Sequence, residues 1–128
     1  MLLESFIEKA LVEGDFSNYF SKPCSSLERG EAIAVVAGRF ERESRIGGEE
    51  RGSVPVAVYV VREVDADAES MALGVERFLR RWEWERRSQA WPWRVVGIDS
   101  AAPLRKERDS SGRFVWEIDL TLTVVRCV

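Results

Sequence analysis

The stretch 65–82, DADAESMALGVERFLRRW, decides how the rest of the chain is read. Its apolar residues Ala68, Met71, Ala72, Val75, Phe78, Leu79 and Trp82 recur at helical spacing. At 100° per residue they fall within a stripe roughly 120° wide, the width a helix needs to lie on a sheet. Asp65 or Asp67 is placed to cap the free N–H groups of the first turn, and Glu69 adds negative charge where the helix dipole favours it. Arg80 and Arg81 supply positive charge at the far end. Strand-like segments flank this helix on both sides, so it is predicted to cover one face of an antiparallel sheet.

Upstream, the chain is strand-like from Ala32 to about Arg45. It begins with the apolar run AIAVVAG and passes into the alternating charge of RFERESR, which predicts a buried first half and a projecting second half. IGGEERGS follows, with Gly47, Gly48 and Gly52 set around Glu49, Glu50 and Arg51, and reads as a turn. The strand Val54 to Glu63 places Val54, Val56, Val58 and Val60 on one face and Ala57, Tyr59 and Val61 on the other. The two strands form a hairpin whose tip, carrying Glu49, Glu50 and Arg51, is expected to be mobile, charged and open to protein contact. A phosphate-binding reading of these glycines fails, since it needs a helix after the loop, whereas a strand follows and two glutamates occupy the tip.

Nearer the N-terminus, Leu3, Phe6, Ile7, Ala10 and Leu11 share one side of a second amphipathic helix, with Gly14 as its stop. The segment from Asp15 to Gly30 mixes Phe16, Tyr19 and Phe20 with Ser, Asn and Pro23, and is expected to be an ordered connection pinned by its aromatics.

Downstream of the central helix, EWERRSQAWPWRVVGID gathers Trp84, Trp91 and Trp93 beside Trp82. Aromatics interleaved with Arg86, Arg87 and Arg94 raise a stacking platform for single-stranded nucleic acid. Glu83 and Glu85 balance those arginines, so the rings are read as core closure or as contacts between subunits. Arg94 to Asp99 is a third strand, Asp109 to Gly112 a hairpin turn, and Arg105 to Arg108 lie on a strand or its extension. In the last segment Phe114, Trp116, Ile118, Leu120, Leu122 and Val124 point to one face, and Glu117, Asp119, Thr121 and Thr123 to the other. The prediction is a single α+β domain over 1–128. It has a mainly antiparallel sheet of about four strands in two hairpins, a helix over 65–82 packed on one face, and an N-terminal helix.

Composition bounds the function. With 45% apolar and 32% charged residues in 128, the chain has the make-up of a folded protein with one core. A net charge of −3 gives no general attraction to nucleic acid or anionic lipid, so neither sequence-specific nucleic-acid binding nor membrane association is expected. No run approaches the roughly 18 to 20 apolar residues of a membrane span. The N-terminal MLLESFIEKALVEG carries acids where a signal peptide has bases, so export is not expected. Cys24 and Cys127 stand too far apart for a metal knuckle or redox pair and are expected to be reduced thiols.

Catalytic signals are sparse. The sequence has no histidine, which removes the commonest general base and metal ligand. It has no GxSxG elbow, and Cys24 has no activating neighbour. Asp65 with Asp67 reads as a cap, and Glu117 with Asp119 as the polar face of a strand, neither joined by a third ligand. No catalytic residue, cofactor site or metal site is predicted.

The order of these motifs carries a resemblance. An N-terminal helix is followed by a long hairpin tipped GGEERG, then by VPVAVYVVRE running into DADAESMALGVERFLRRW, and finally by a closing hairpin around DSSGRFVWEIDLTLTV. Over roughly residues 1–126 this resembles the tail terminator, or tail-completion, proteins of long-tailed bacteriophages, including the minor capsid proteins of phages of Gram-positive hosts. The many tryptophans and the long segment between Gly14 and Gly30 depart from the family pattern.

The resemblance implies a structural protein without catalytic activity. Copies would form a hexameric ring on the last ring of tail-tube protein, stop tube growth and offer the joining surface to a head-completion or connector protein. It would be found in the host cytoplasm during assembly and then in the tail or neck of the virion. Glu49, Glu50, Arg51, Leu73, Trp84, Trp91 and Trp93 are then the interface candidates, with Leu73 on the otherwise polar side of the central helix. Glu117, Asp119, Thr121 and Thr123 would face a neighbour or the ring's passage, where an acidic or neutral lining avoids trapping DNA phosphates. Two other readings are a different head–tail connector or minor capsid adaptor, and a small-molecule-binding or enzymatic domain with its pocket between the first helix and the sheet.

Overall fold

The computed structural model describes residues 3–14, 16, 32–88 and 93–127. Its elements are α1 (Leu3–Glu13), β1 (Ala32–Ala37), β2 (Glu41–Ile46), β3 (Glu49–Arg62), α2 (Asp65–Arg81), α3 (Trp84–Arg87), β4 (Trp93–Ser100), β5 (Leu104–Arg105) and β6 (Phe114–Cys127). The expected segment from Asp15 to Gly30, with Tyr19, Phe20, Pro23 and Cys24, lies outside the described residues apart from Phe16.

Two 14-residue strands, β3 and β6, form the middle of the sheet, antiparallel from Glu49↔Cys127 to Arg62↔Phe114. β1 and β2 lie end to end along the outer edge of β3, and β4 and β5 do the same along β6. The fold is α+β with a mostly antiparallel sheet, but six strands stand where about four were expected, because each outer strand is interrupted.

Proline accounts for the first interruption. Gly38 N–H donates to the Pro55 carbonyl at 2.7 Å, so Pro55 turns its carbonyl, and with it the position of its missing N–H, towards the β1/β2 edge. The ladder cannot run past that point, and the edge strand leaves it over 38–40. On the other edge Pro103 falls in the gap between β4 and β5.

Alternation then assigns the faces. Val54, Val56, Val58 and Val60 of β3 and Ile118, Leu120, Leu122 and Val124 of β6 are buried together with Ile33, Val35 and Val95. Over them pack Leu3, Phe6, Ile7, Ala10 and Leu11 of α1 and Ala72, Val75 and Leu79 of α2, so both helices cover one face. Among the described residues no helix packs on the opposite face.

The central helix begins differently from expectation. The residue before its first turn is Val64, with no side-chain cap, and Asp65 bonds instead to Trp116 Nε1 at 3.0 Å and faces Arg105 at 3.5 Å. At the other end Trp82 turns extended, and Trp84 Nε1 donates to the Leu79 carbonyl at 2.6 Å, satisfying one of the carbonyls a helix leaves open.

Candidate functional site

The hairpin tip is smaller than the sequence predicts. Only Gly47 and Gly48 form the turn, with Ile46 facing Glu49, and Gly47 takes φ 60, the left-handed conformation glycine adopts at no steric cost. Glu49, Glu50, Arg51 and Gly52 all belong to β3, so the expected mobile tip is a paired strand. Its alternation splits the three interface candidates. Glu50 points to the helix side and holds Arg126 at 3.1 Å, with its side chain only 12% exposed, so it is an internal pair and not a contact surface. Glu49 and Arg51 emerge exposed on the opposite face. Counting by twos back from Val54 assigns Glu50 to the buried side, provided the strand is continued through Gly52.

Trp84 turns inward and Trp82 packs against it. Trp84 is 4% exposed, edge-on to Trp82 at 4.9 Å and tilted against Phe6 at 6.1 Å, while Trp82 meets Phe6 at 5.4 Å. These rings close the end of the core below α1, which removes Trp84 as an interface residue. Trp93, half-buried, packs on Phe40 at 5.7 Å, and the Arg126 guanidinium lies 3.9 Å over Phe40 and 5.1 Å from Trp93. That stacked cap over Gly52 carries no sequence signature, because Phe40, Trp93 and Arg126 come from three separate segments. Trp91 lies outside the described residues.

Leu73 sits where it was expected, 45% exposed on the outer side of α2 between exposed Glu69 and Arg77.

The open face carries the other predicted group. Tyr59 stands opposite Glu117, Ala57 opposite Asp119, Pro55 opposite Thr121 and Ser53 opposite Thr123. The Tyr59 hydroxyl donates to Glu117, and this bond, with burial and the nearby acids, holds the phenol above its ordinary value. Glu117 and Asp119 share a hydrogen bond that splits their titration. The bond to Glu117 pushes Asp119 up, helped by burial and by the Glu117 charge. Burial alone would lift Glu117, but bonds from Asp119 and Tyr59 and the charge of Lys106 hold it below the usual range. No group of three or more acids or thiols able to hold a metal occurs among the described residues.

Two grooves flank these elements. One of 380 Å³ runs between α3 and β4, floored by Val96, Gly97 and Ile98. The other, 210 Å³, lies on the open face at the hairpin end, lined by Ser44, Ile46, Glu49, Arg51, Arg94, Val96 and Val125. The space between α1 and the sheet, where an enzymatic or ligand-binding reading places its pocket, is filled by Phe6, Ile7, Ala10 and Leu11, all buried. Among the described residues no helix is long and apolar enough to cross a membrane. No protein-family model matches the chain, and no curated protein matches it.

Proposed function

We propose that this chain is a structural protein of a bacteriophage or prophage head–tail junction. Copies assemble as a hexameric ring that caps the tail tube, ends its polymerisation and offers the surface to which the head is joined. The observation that carries this reading is the one-sided build of the sheet. Helices cover one face, while the other runs the length of two 14-residue strands with Asp119 and Thr121 exposed and no helix upon it among the described residues. A domain with one face held back from its own core has a surface for other copies and other proteins. The element order is that of the resemblance: a helix, a long hairpin, a helix laid across the sheet and a closing hairpin.

The chemistry of the chain agrees with assembly more than with turnover. It has no histidine, and its two neighbouring carboxylates on the open face converge with a tyrosine and a lysine instead of a third acid.

The test is to add the purified chain to polymerising tail-tube protein from the same genome and measure tube lengths by electron microscopy. Shortened tubes with a ring of density at one end are the expected result. An unchanged length distribution with bare tube ends overturns the proposal.

A further inference from the structure

We infer that copies of this chain meet head to tail, the outer face of α2 in one copy seated in the groove that Ile46, Glu49, Arg51, Arg94, Val96 and Val125 form on the open face of the next. The inference rests on the ring reading for its closed symmetry and names the two surfaces that meet.

The groove has an apolar floor of Val96 and Val125, a lip at Ile46 that is 81% exposed, and charged walls. Arg94 lies at one end of the groove on β4 and Glu49 at the other on β3, with Arg51 beside Glu49 on the same strand, all exposed and without an ion-pair partner among the described residues. The outer face of α2 presents the reverse order. Glu69, Leu73 and Arg77 recur every four residues, so they form one stripe of acid, apolar residue and base. All three are exposed, and neither Glu69 nor Arg77 has an ion-pair partner among the described residues. Set together, Glu69 meets Arg94, Leu73 meets Ile46, Val96 and Val125, and Arg77 meets Glu49.

The dimensions agree. Eight residues of helix separate Glu69 from Arg77 by about 12 Å. Arg51, Val125 and Arg94 are in register across three strands, and Glu49 stands two residues along from Arg51. Two strand spacings and two residues of rise give a Glu49-to-Arg94 diagonal of about 12 Å.

The two surfaces lie on opposite faces of one chain, so a chain cannot satisfy the contact within itself. Different patches on the two partners make the contact heterologous, the kind that gives a ring when its rotation closes, as the proposed function requires. One groove covers less than the roughly 800 Å² per partner of a stable interface, so the free chain associates weakly and with a strong salt dependence.

The test uses the full chain carrying Cys24→Ser and Cys127→Ser, with Leu73→Cys and Val96→Cys together or singly. Oxidation of the double variant at its highest soluble concentration is expected to give a ladder of covalent oligomers, against none beyond dimers for either single variant. Without such a ladder the contact is overturned. Glu69→Arg and Arg94→Glu, followed by sedimentation velocity at low salt, test the charge pattern. Each alone lowers the association constant at least about tenfold by placing like charges together, and mixing the two variants restores association because every contact regains opposite charges. Association that neither reversal weakens, or that mixing does not restore, also overturns the contact. The ring contact and tube capping fail separately: a ladder from a chain that leaves tube length unchanged removes only the capping role, and a chain that caps tubes without a ladder removes only this contact.

Discussion

The indole Nε1 of Trp116 donates to Asp65 Oδ1 across 3.0 Å, fastening the first turn of α2 to the middle of the sheet. The same carboxylate faces Arg105 at 3.5 Å, so an acid at a dipole-favoured helix start also serves as a tertiary latch. Asp65→Ala is expected to destabilise the fold by about 1.5–3 kcal/mol, the range for a hydrogen bond to a charged group. Asp67→Ala, on the exposed side of the same turn, is expected to stay within about 0.5 kcal/mol of the parent. Urea unfolding of the two variants decides it, and equal midpoints would show that the latch contributes nothing.

A second clasp closes the last hairpin and makes stability depend on pH. Arg113, 5% exposed, places Nε and Nη2 each 2.9 Å from Asp109 Oδ2, while Oδ1 accepts the Arg113 and Ser111 amides at 2.8 and 3.0 Å. Burial would lift the Asp109 carboxyl, but the Arg113 backbone and side-chain bonds outweigh it and hold the group below its ordinary value. A folded-state value below the unfolded one means the clasp stabilises above the unfolded value and is lost as pH falls through the folded one. Asp109→Asn is therefore expected to be less stable than the parent at neutral pH, by about 1.5–3 kcal/mol. The two stability curves converge at the acid end, and parallel curves would exclude the ion pair as the cause.

Two glycines respond to alanine with opposite sign. A Cβ on Gly52 meets the Glu41 carbonyl oxygen at 2.1 Å and the Phe40 ring at 2.7 Å, so β2 and the Phe40–Arg126 stack must move. Gly52→Ala is expected to cost about 1–3 kcal/mol or more. At Gly74, inside α2, a Cβ meets nothing within 4 Å, and Gly74→Ala is expected to stabilise by about 0.5–1 kcal/mol through the lower entropy of the unfolded chain. Thermal melts of both variants check the pair.

Regular periodicity was legible, and interruptions were not. The stripe from Ala68 to Leu79 and the alternation from Ile118 to Val124 each depend on a local repeat, and both are placed as the sequence predicts. The edge strand broken opposite Pro55 depends on which neighbour that proline faces, which only the sheet order determines. Glu50 misled for a related reason. Glycine and charge around it mimic a turn, while its burial comes from Arg126, a residue 76 positions away that shares no local pattern with it. Trp84 likewise looks like surface aromatic until Phe6 of α1 is seen to lie against it.

Glu117 and Asp119 supply the functional prediction. They lie on the open face, roughly 20–27 Å along β6 from Val125 in the groove assigned to the neighbouring copy, which leaves them free to line the passage of the proposed ring. Asp119, held up by its bond to Glu117, favours folding most at low pH, and that contribution fades as pH rises through its folded-state value. Asp119→Asn is thus tolerated at neutral pH, whereas Glu117→Gln gives up a charged form that Tyr59 and Lys106 favour, so the amide pair leaves a neutral surface at some cost in stability. Lysine at both positions replaces two negative charges by two positive ones per copy, and DNA moving past would exchange counterions for protein contacts that hold it. Particles carrying Glu117→Lys and Asp119→Lys are expected to eject DNA slowly and infect poorly, with the defect relieved by added salt, while the amide pair behaves as the parent. Normal ejection by lysine-bearing particles would place this face away from the passage.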